Sequence, residues 1–270
     1  MDDRPIGVFD SGLGGLTTVR ELCRLLPEED IVYFGDTGRV PYGSRSRETI
    51  VKYARQDVAF LRTFDLKTIV IACGTVSTTA LDVLAAENPI PVLGVVAPAA
   101  RAAARATRSG SIGLIGTQAS IRSGAYERLI RAENPAARVL AQPCPLFVPL
   151  VENGRFRPGD VVIETVAAEY LAPLKEAGVD TLVLGCTHYP LLEKVIGAYM
   201  GPEVRLSNSG AEGARAAADC LRERDALAGP GRGSCRCFVS DRQEDFSRLA
   251  STFLGWDVAQ AVEQVDISQY

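Results

Sequence analysis

The chain has 270 residues, 47% hydrophobic and 23% charged, with a formal net charge of −4. That length suits one large domain or two smaller ones sharing an interface. The acidic balance excludes a nucleic-acid or anionic-membrane surface as the main partner, and no run approaches the ~18 apolar residues of a membrane span.

The first residues, Met1-Asp2-Asp3-Arg4-Pro5, carry acids where a secretory signal carries lysine or arginine, so the cytoplasm is the expected compartment. Ile6-Gly7-Val8-Phe9 then opens a series of short apolar runs bounded by turn formers. Ile31–Phe34, Ile69–Ala72, Val92–Val96, Ile112–Ile115 and Leu182–Leu184 continue it. Such runs predict strands buried on both faces of parallel sheets. Helical patterns fall between them at Thr17–Leu26, Ser46–Phe64, Val76–Ala86, Pro98–Thr107, Ser123–Arg131 and Asp160–Glu176. Pro143-Cys144-Pro145 and Gly229-Pro230-Gly231 read as loops, and Arg236–Phe253 as one more strand and helix. The alternation predicts an α/β fold of mostly parallel sheets flanked by helices.

An internal echo refines this. IGVFDSGLGGLTTVREL from Ile6 and IGLIGTQASIRSGAYERL from Ile112 share strand, small polar turn and helix. IVIACGTVS from Ile69 likewise echoes LVLGCTHYP from Leu182. Two pseudo-symmetric domains are therefore expected, 1–96 plus 208–270 and 97–207, with a ligand cleft between them beyond the strand ends.

Four stretches place small polar residues after a strand: Asp10-Ser11-Gly12, Pro41-Tyr42-Gly43-Ser44, Cys73-Gly74-Thr75 and Cys186-Thr187-His188. In an open parallel sheet they share one rim. Cys73 and Cys186 end matched strands, where helix N-terminal amides stabilise a thiolate. Facing each other across a cleft, two thiols would provide a base for one face of a stereocentre and an acid for the other. Asp10, His188 and, more distantly, Glu152 are the titratable groups available to assist. Each of these residues also has a plainer role: buried core thiols, a helix cap for Asp10, a packing imidazole, a solvated Glu152.

Other chemistries lack their residues. None of the four lysines (52, 67, 175, 194) lies in an apolar setting suited to a Schiff base, so pyridoxal phosphate is not expected. Gly12-Leu13-Gly14-Gly15 misses the dinucleotide spacing, and its glycines are read instead as letting the backbone approach an anion. The seven cysteines are scattered and read as free thiols. Cys235-Arg236-Cys237 has no second pair and there is one histidine, so no metal is expected.

DSGLGGLT, DTGRVPYG, IACGT and LGCTHYP, in this order, with FVPLVE and CFVSDRQEDFSRLASTFLG, resemble the glutamate racemases of the cofactor-independent Asp/Glu racemase superfamily. The resemblance covers nearly the whole chain. It implies no cofactor, glutamate as the small-molecule partner, a cytoplasmic role supplying D-glutamate for peptidoglycan, and homodimers as a frequent assembly. By the same resemblance Cys73 deprotonates the D-enantiomer and Cys186 the L-enantiomer. Asp10 and His188 assist the two thiols, with Glu152 as an auxiliary acid. Ser11, Tyr42, Gly43, Thr75 and Thr187 hold the substrate's carboxylates and amine.

One position departs. The family usually carries asparagine where this chain has Gly74, and the asparagine amide touches the substrate's head group. That leaves two other readings beside glutamate racemisation: racemisation of a different small amino acid, and a binding or regulatory protein on the same fold. If glutamate is the substrate, Gly74→Asn is expected to restore a head-group contact, with kcat/KM for glutamate rising or holding, provided the turn does not need a backbone angle reserved for glycine.

Overall fold

The computed structural model describes residues 1–256 and 262–270. Among the described residues ten strands form two sheets: β1 (Ile6–Asp10), β2 (Ile31–Gly35), β3 (Thr68–Ile71), β4 (Val92–Gly94), β5 (Ser111–Gly116), β6 (Arg138–Pro143), β7 (Thr181–Leu184), β8 (Arg205–Asn208), β9 (Cys235–Val239) and β10 (Val262–Gln264). The first sheet has the order β10-β9-β2-β1-β3-β4 and the second β6-β5-β7-β8. Every pairing is parallel. Thus the chain builds most of one sheet, then the other, and returns to the first for its last two strands.

The expected apolar runs became the inner strands. β1, β2, β3 and β7 are buried at every residue, because helices cover both faces. β6, β8 and β10 were not anticipated. All three lie at sheet edges and are largely half-buried or exposed, so they carry no apolar run to read. Pro143 closes β6 and so is not loop. An edge position suits it, since proline lacks a ladder donor.

Helix starts follow the polar signals. Ser46 and Asp160 are N-caps, their side chains accepting from the amides of Thr49 and Val162, so each helix begins one residue later than expected. The expected helix Val76–Ala86 is instead two short ones, Gly74–Thr79 and Leu81–Glu87, broken at Ala80 (φ −128°). The first starts immediately after Cys73, which is its N-cap.

One apolar core runs through both sheets. It joins Val8 and Tyr33 of the first and Leu16 of the helix after β1 to Ile115 and Leu184 of the second and Phe147 of the helix after β6. Each such side chain, fully buried, stabilises the fold by about 1.5–3 kcal/mol. A second cluster under the helix Arg47–Leu61 includes the tilted pair Phe34–Phe60, centroids 5.0 Å apart.

Candidate active site

Cys73 and Cys186 follow β3 and β7, the strands flanking β1 and β5 in their respective sheets. Both are largely buried, and both line one cavity of about 370 Å³. The backbones beside them nearly touch: a Cβ added at Gly74 would lie 2.7 Å from the carbonyl oxygen of Gly185. This glycine contact is what lets the two cysteine-bearing turns share a small cavity.

On the first side, Ser11 Oγ lies 3.2 Å from Cys73 Sγ. Burial pushes the Cys73 thiol up to about 12, and the nearby Asp10 carboxylate adds to this, against the Ser11 bond and the Val76 amide. The amides at the start of the helix after Cys73 therefore do not offset its burial. Asp10 is itself fully buried, and burial raises its pKa despite the charge of His188 and the amides of Gly15 and Gly12. It accepts from Gly12 N–H at 3.1 Å and from the Thr187 hydroxyl at 3.4 Å, so it reaches across to the second side.

On the second side, His188 Nδ1 stands 3.9 Å from Cys186 Sγ, and Nε2 bonds Glu152 Oε1 at 2.9 Å. Burial disfavours the imidazolium, but the hydrogen bonds to Cys186 and Glu152 outweigh it and push His188 up to about 10. The ring also packs edge-on against Phe253, centroids 5.6 Å apart. Its packing and polar roles thus coexist. Glu152 is neither remote nor merely solvated: it ends the helix Phe147–Glu152 and lines the cavity.

The glycines of the first turn serve a different purpose from the expected one. A Cβ at Gly14 would lie 2.2 Å from Thr187 Oγ1 and 2.5 Å from His188 Nδ1, and one at Gly15 would strike Asp10 Cβ. They admit the Thr187–His188 turn and the side chain of Asp10, while the anion met by the Gly12 amide is Asp10 itself. Nor does Gly74 use a glycine-only angle, since it is absent from the positive-φ positions among the described residues. Space, not φ, is what holds it as glycine.

Ser11, Tyr42, Gly43, Gly74, Thr75 and Thr187 all line the cavity. Tyr42 does so with its hydroxyl turned away, bonded to Asp36 and Asp57. The structure adds Thr117, whose hydroxyl lies 3.0 Å from that of Thr75 across the cavity wall. Its signal was in the sequence: the offset from Ile6 to Ile112 places Thr117 opposite Ser11. Cys144 and Val148 also line the cavity; they come from the unforeseen end of β6 and the helix after it.

Two thiols at matched strand ends of two parallel sheets line one cavity, an arrangement suited to proton exchange at a stereocentre. The chain belongs to the Asp/Glu/hydantoin racemase family, whose model matches residues 9–217. Within it, the chain is 49% identical over 256 residues to the glutamate racemase of Geobacter metallireducens, covering 94% of each. A glutamate racemase isoform from Bacillus anthracis superposes with a TM-score of 0.93 at 38% identity, over 98% of both chains. The Francisella tularensis glutamate racemase in complex with D-glutamate superposes at 0.92 and 37% identity, over the full length of both.

Proposed function

We infer that this chain is a glutamate racemase that exchanges the α-proton between Cys73 and Cys186. The observation that carries the reading is two buried thiols lining one small cavity, each with its own polar assistant. The relatives' shared activity favours glutamate over another amino acid, and an enzyme over a binding protein.

Glutamate binds between the thiols, its head group held by the hydroxyls of Ser11, Thr75 and Thr187 and the backbone at Gly43. Its α-ammonium brings positive charge to a site that otherwise keeps Cys73 protonated. For the L-enantiomer, the Cys186 thiolate takes the α-proton and the Cys73 thiol delivers its own to the opposite face. The D-product leaves with Cys186 protonated and Cys73 ionised, and the reverse reaction restores the first state. Asp10 and His188 move protons to and from the two sulfurs between turnovers, and Glu152 holds the imidazole.

Residues 1–96 with 208–270 form one domain of this reading and 97–207 the other, the substrate lying between; residues 257–261 of the first lie outside the described residues. Its place is the cytoplasmic supply of D-glutamate for peptidoglycan, without a cofactor, and its assembly a homodimer. No helix among the described residues is long and apolar enough to cross a membrane. A chiral turnover assay over a panel of amino acids in deuterium oxide tests the reading. Glutamate should be turned over fastest in both directions, with deuterium at the product's α-carbon. Faster turnover of another amino acid, or inversion without deuterium, would overturn it.

A further inference from the structure

Between β2 and the helix Arg47–Leu61 the chain runs from Asp36 to Ser46 with no strand pairing, only two single 3₁₀ turns, Thr37–Arg39 and Tyr42–Ser44. Yet Val40 to Ser44 form one continuous wall of the cavity. A wall without a ladder needs another source of rigidity.

A buried polar cluster supplies it. Asp36 and Asp57 are completely buried. Arg39 lies between them, its Nε donating to Asp36 Oδ2 at 2.6 Å, Nη2 to Asp57 Oδ1 at 2.7 Å and Nη1 to Gln56 Oε1 at 2.6 Å. Its guanidinium also covers the Tyr53 ring at 4.2 Å. The Tyr42 hydroxyl closes the cluster, facing Asp36 Oδ2 and, at 3.0 Å, Asp57 Oδ2. Ser240, beyond β9, donates to Asp36 Oδ1 at 2.7 Å and receives the Gly38 amide.

Proton counting limits how this cluster is charged. The phenol has one proton and faces two carboxyl oxygens, and two carboxylates face one guanidinium. Both mismatches vanish if Asp57 is the neutral acid: Asp57 donates to Tyr42 Oη, Tyr42 donates to Asp36, and Asp36 alone balances Arg39. Burial and the Asp36 charge indeed push Asp57 well above the ordinary carboxyl range.

We infer that Asp36, Arg39 and Asp57 are positioning residues that hold the Tyr42–Gly43 wall against the substrate, with Asp57 acting as a proton-bearing donor and Asp36 as the charged partner. This rests on the glutamate reading above. It distinguishes two carboxyl groups that the sequence presents alike. Asp57→Asn preserves every bond, its amide donating to Tyr42 Oη and its carbonyl accepting from Arg39. Asp36→Asn removes the charged partner of Arg39, so Asp57 must ionise in its place and gives up the proton it donates to Tyr42, and Asp57→Leu cuts Tyr42 and Arg39 loose.

The test is steady-state kinetics in both directions for Asp57→Asn, Asp57→Leu, Asp36→Asn and Tyr42→Phe. Asp57→Asn should keep KM and kcat within about twofold of wild type. Asp57→Leu and Asp36→Asn should raise KM about tenfold while kcat falls less than about threefold, because the thiols stay in place. Tyr42→Phe keeps the ring and removes only the hydroxyl, so it reports on the anchor even where a cluster variant fails to fold; its KM should rise about threefold or more. An unchanged KM in Tyr42→Phe or folded Asp57→Leu would overturn the inference, as would Asp57→Asn behaving like Asp36→Asn. Wild-type protein that does not turn over glutamate would instead remove the reading on which the inference stands.

Discussion

Cys73 has a serine hydroxyl at 3.2 Å and a buried carboxylate nearby, whereas Cys186 has an imidazole at 3.9 Å that is itself held by Glu152. The strands beneath them are related by the internal echo, but the assistants are not. A repeated fold supplies equivalent backbone positions for two thiols, and the chemistry at each is then set by whichever side chains the opposite wall presents. On the first side burial, with the Asp10 carboxylate adding to it, raises the thiol's pKa; on the second the bonds to Cys186 and Glu152 push the imidazole up to about 10. The racemase needs an acid and a base at once, and an asymmetric pair provides them without identical half-sites.

Removing either sulfur should have the largest effect. Cys73→Ala and Cys186→Ala should each lower racemisation by ~10³-fold or more, since inversion needs both a proton donor and an acceptor. The comparison sharpens if exchange is read without inversion. Cys73→Ala should exchange solvent deuterium only into L-glutamate and Cys186→Ala only into D-glutamate. Exchange into both enantiomers by either variant would contradict the assignment of faces.

Gly74 comes next. Contrary to the gain expected from the sequence, an asparagine at position 74 places a Cβ 2.7 Å from the Gly185 carbonyl, where backbone must give. Overpacking of this kind costs about 1–3 kcal/mol, so Gly74→Asn should lower kcat/KM for glutamate by roughly tenfold or more. Gly74→Ala isolates the Cβ and should show most of the loss. A gain in kcat/KM for Gly74→Asn would mean that the two halves separate readily and that the missing amide matters more than their contact.

The assistants should separate by pH. Glu152→Gln removes a carboxylate that holds His188 high, so the alkaline limb of kcat/KM should move to lower pH and activity fall by about tenfold. Ser11→Ala should cost less, about threefold, and leave that limb in place. Linkage gives a second readout. The folded-state pKa of His188, about 10, exceeds the ordinary 6.5, so its contribution to stability is complete below about pH 6.5 and is lost as pH rises through 10. Melting temperatures between pH 7 and 10 should decline less steeply in Glu152→Gln than in wild type. The smallest effect expected is none: chelator or added pyridoxal phosphate should leave the rate unchanged, and inactivation by exhaustive chelation would break the cofactor-free account.

The inner strands, the starts of the helices near Ser46 and Asp160 to within one residue, and the placement of two cysteines at matched strand ends were legible in the chain. These are local facts: apolar runs buried on both faces, polar caps and turn residues each act within a few positions. The edge strands β6, β8 and β10 were not, because an edge strand's pairing is decided by the neighbour it finds and not by its own hydrophobicity. The same limit governed the site. Ser11, Thr75, Thr187 and His188 could be read as rim residues, but only the packing of two sheets showed that Gly14 makes room for His188, that Gly74 abuts Gly185, and that the Tyr42 hydroxyl faces Asp36 and Asp57. Charge state followed packing too. The burial that pushes Cys73 up to about 12 and the partners that push His188 up to about 10 come from residues far apart in the chain, because desolvation and Coulomb interactions depend on distance in space and on the surrounding dielectric.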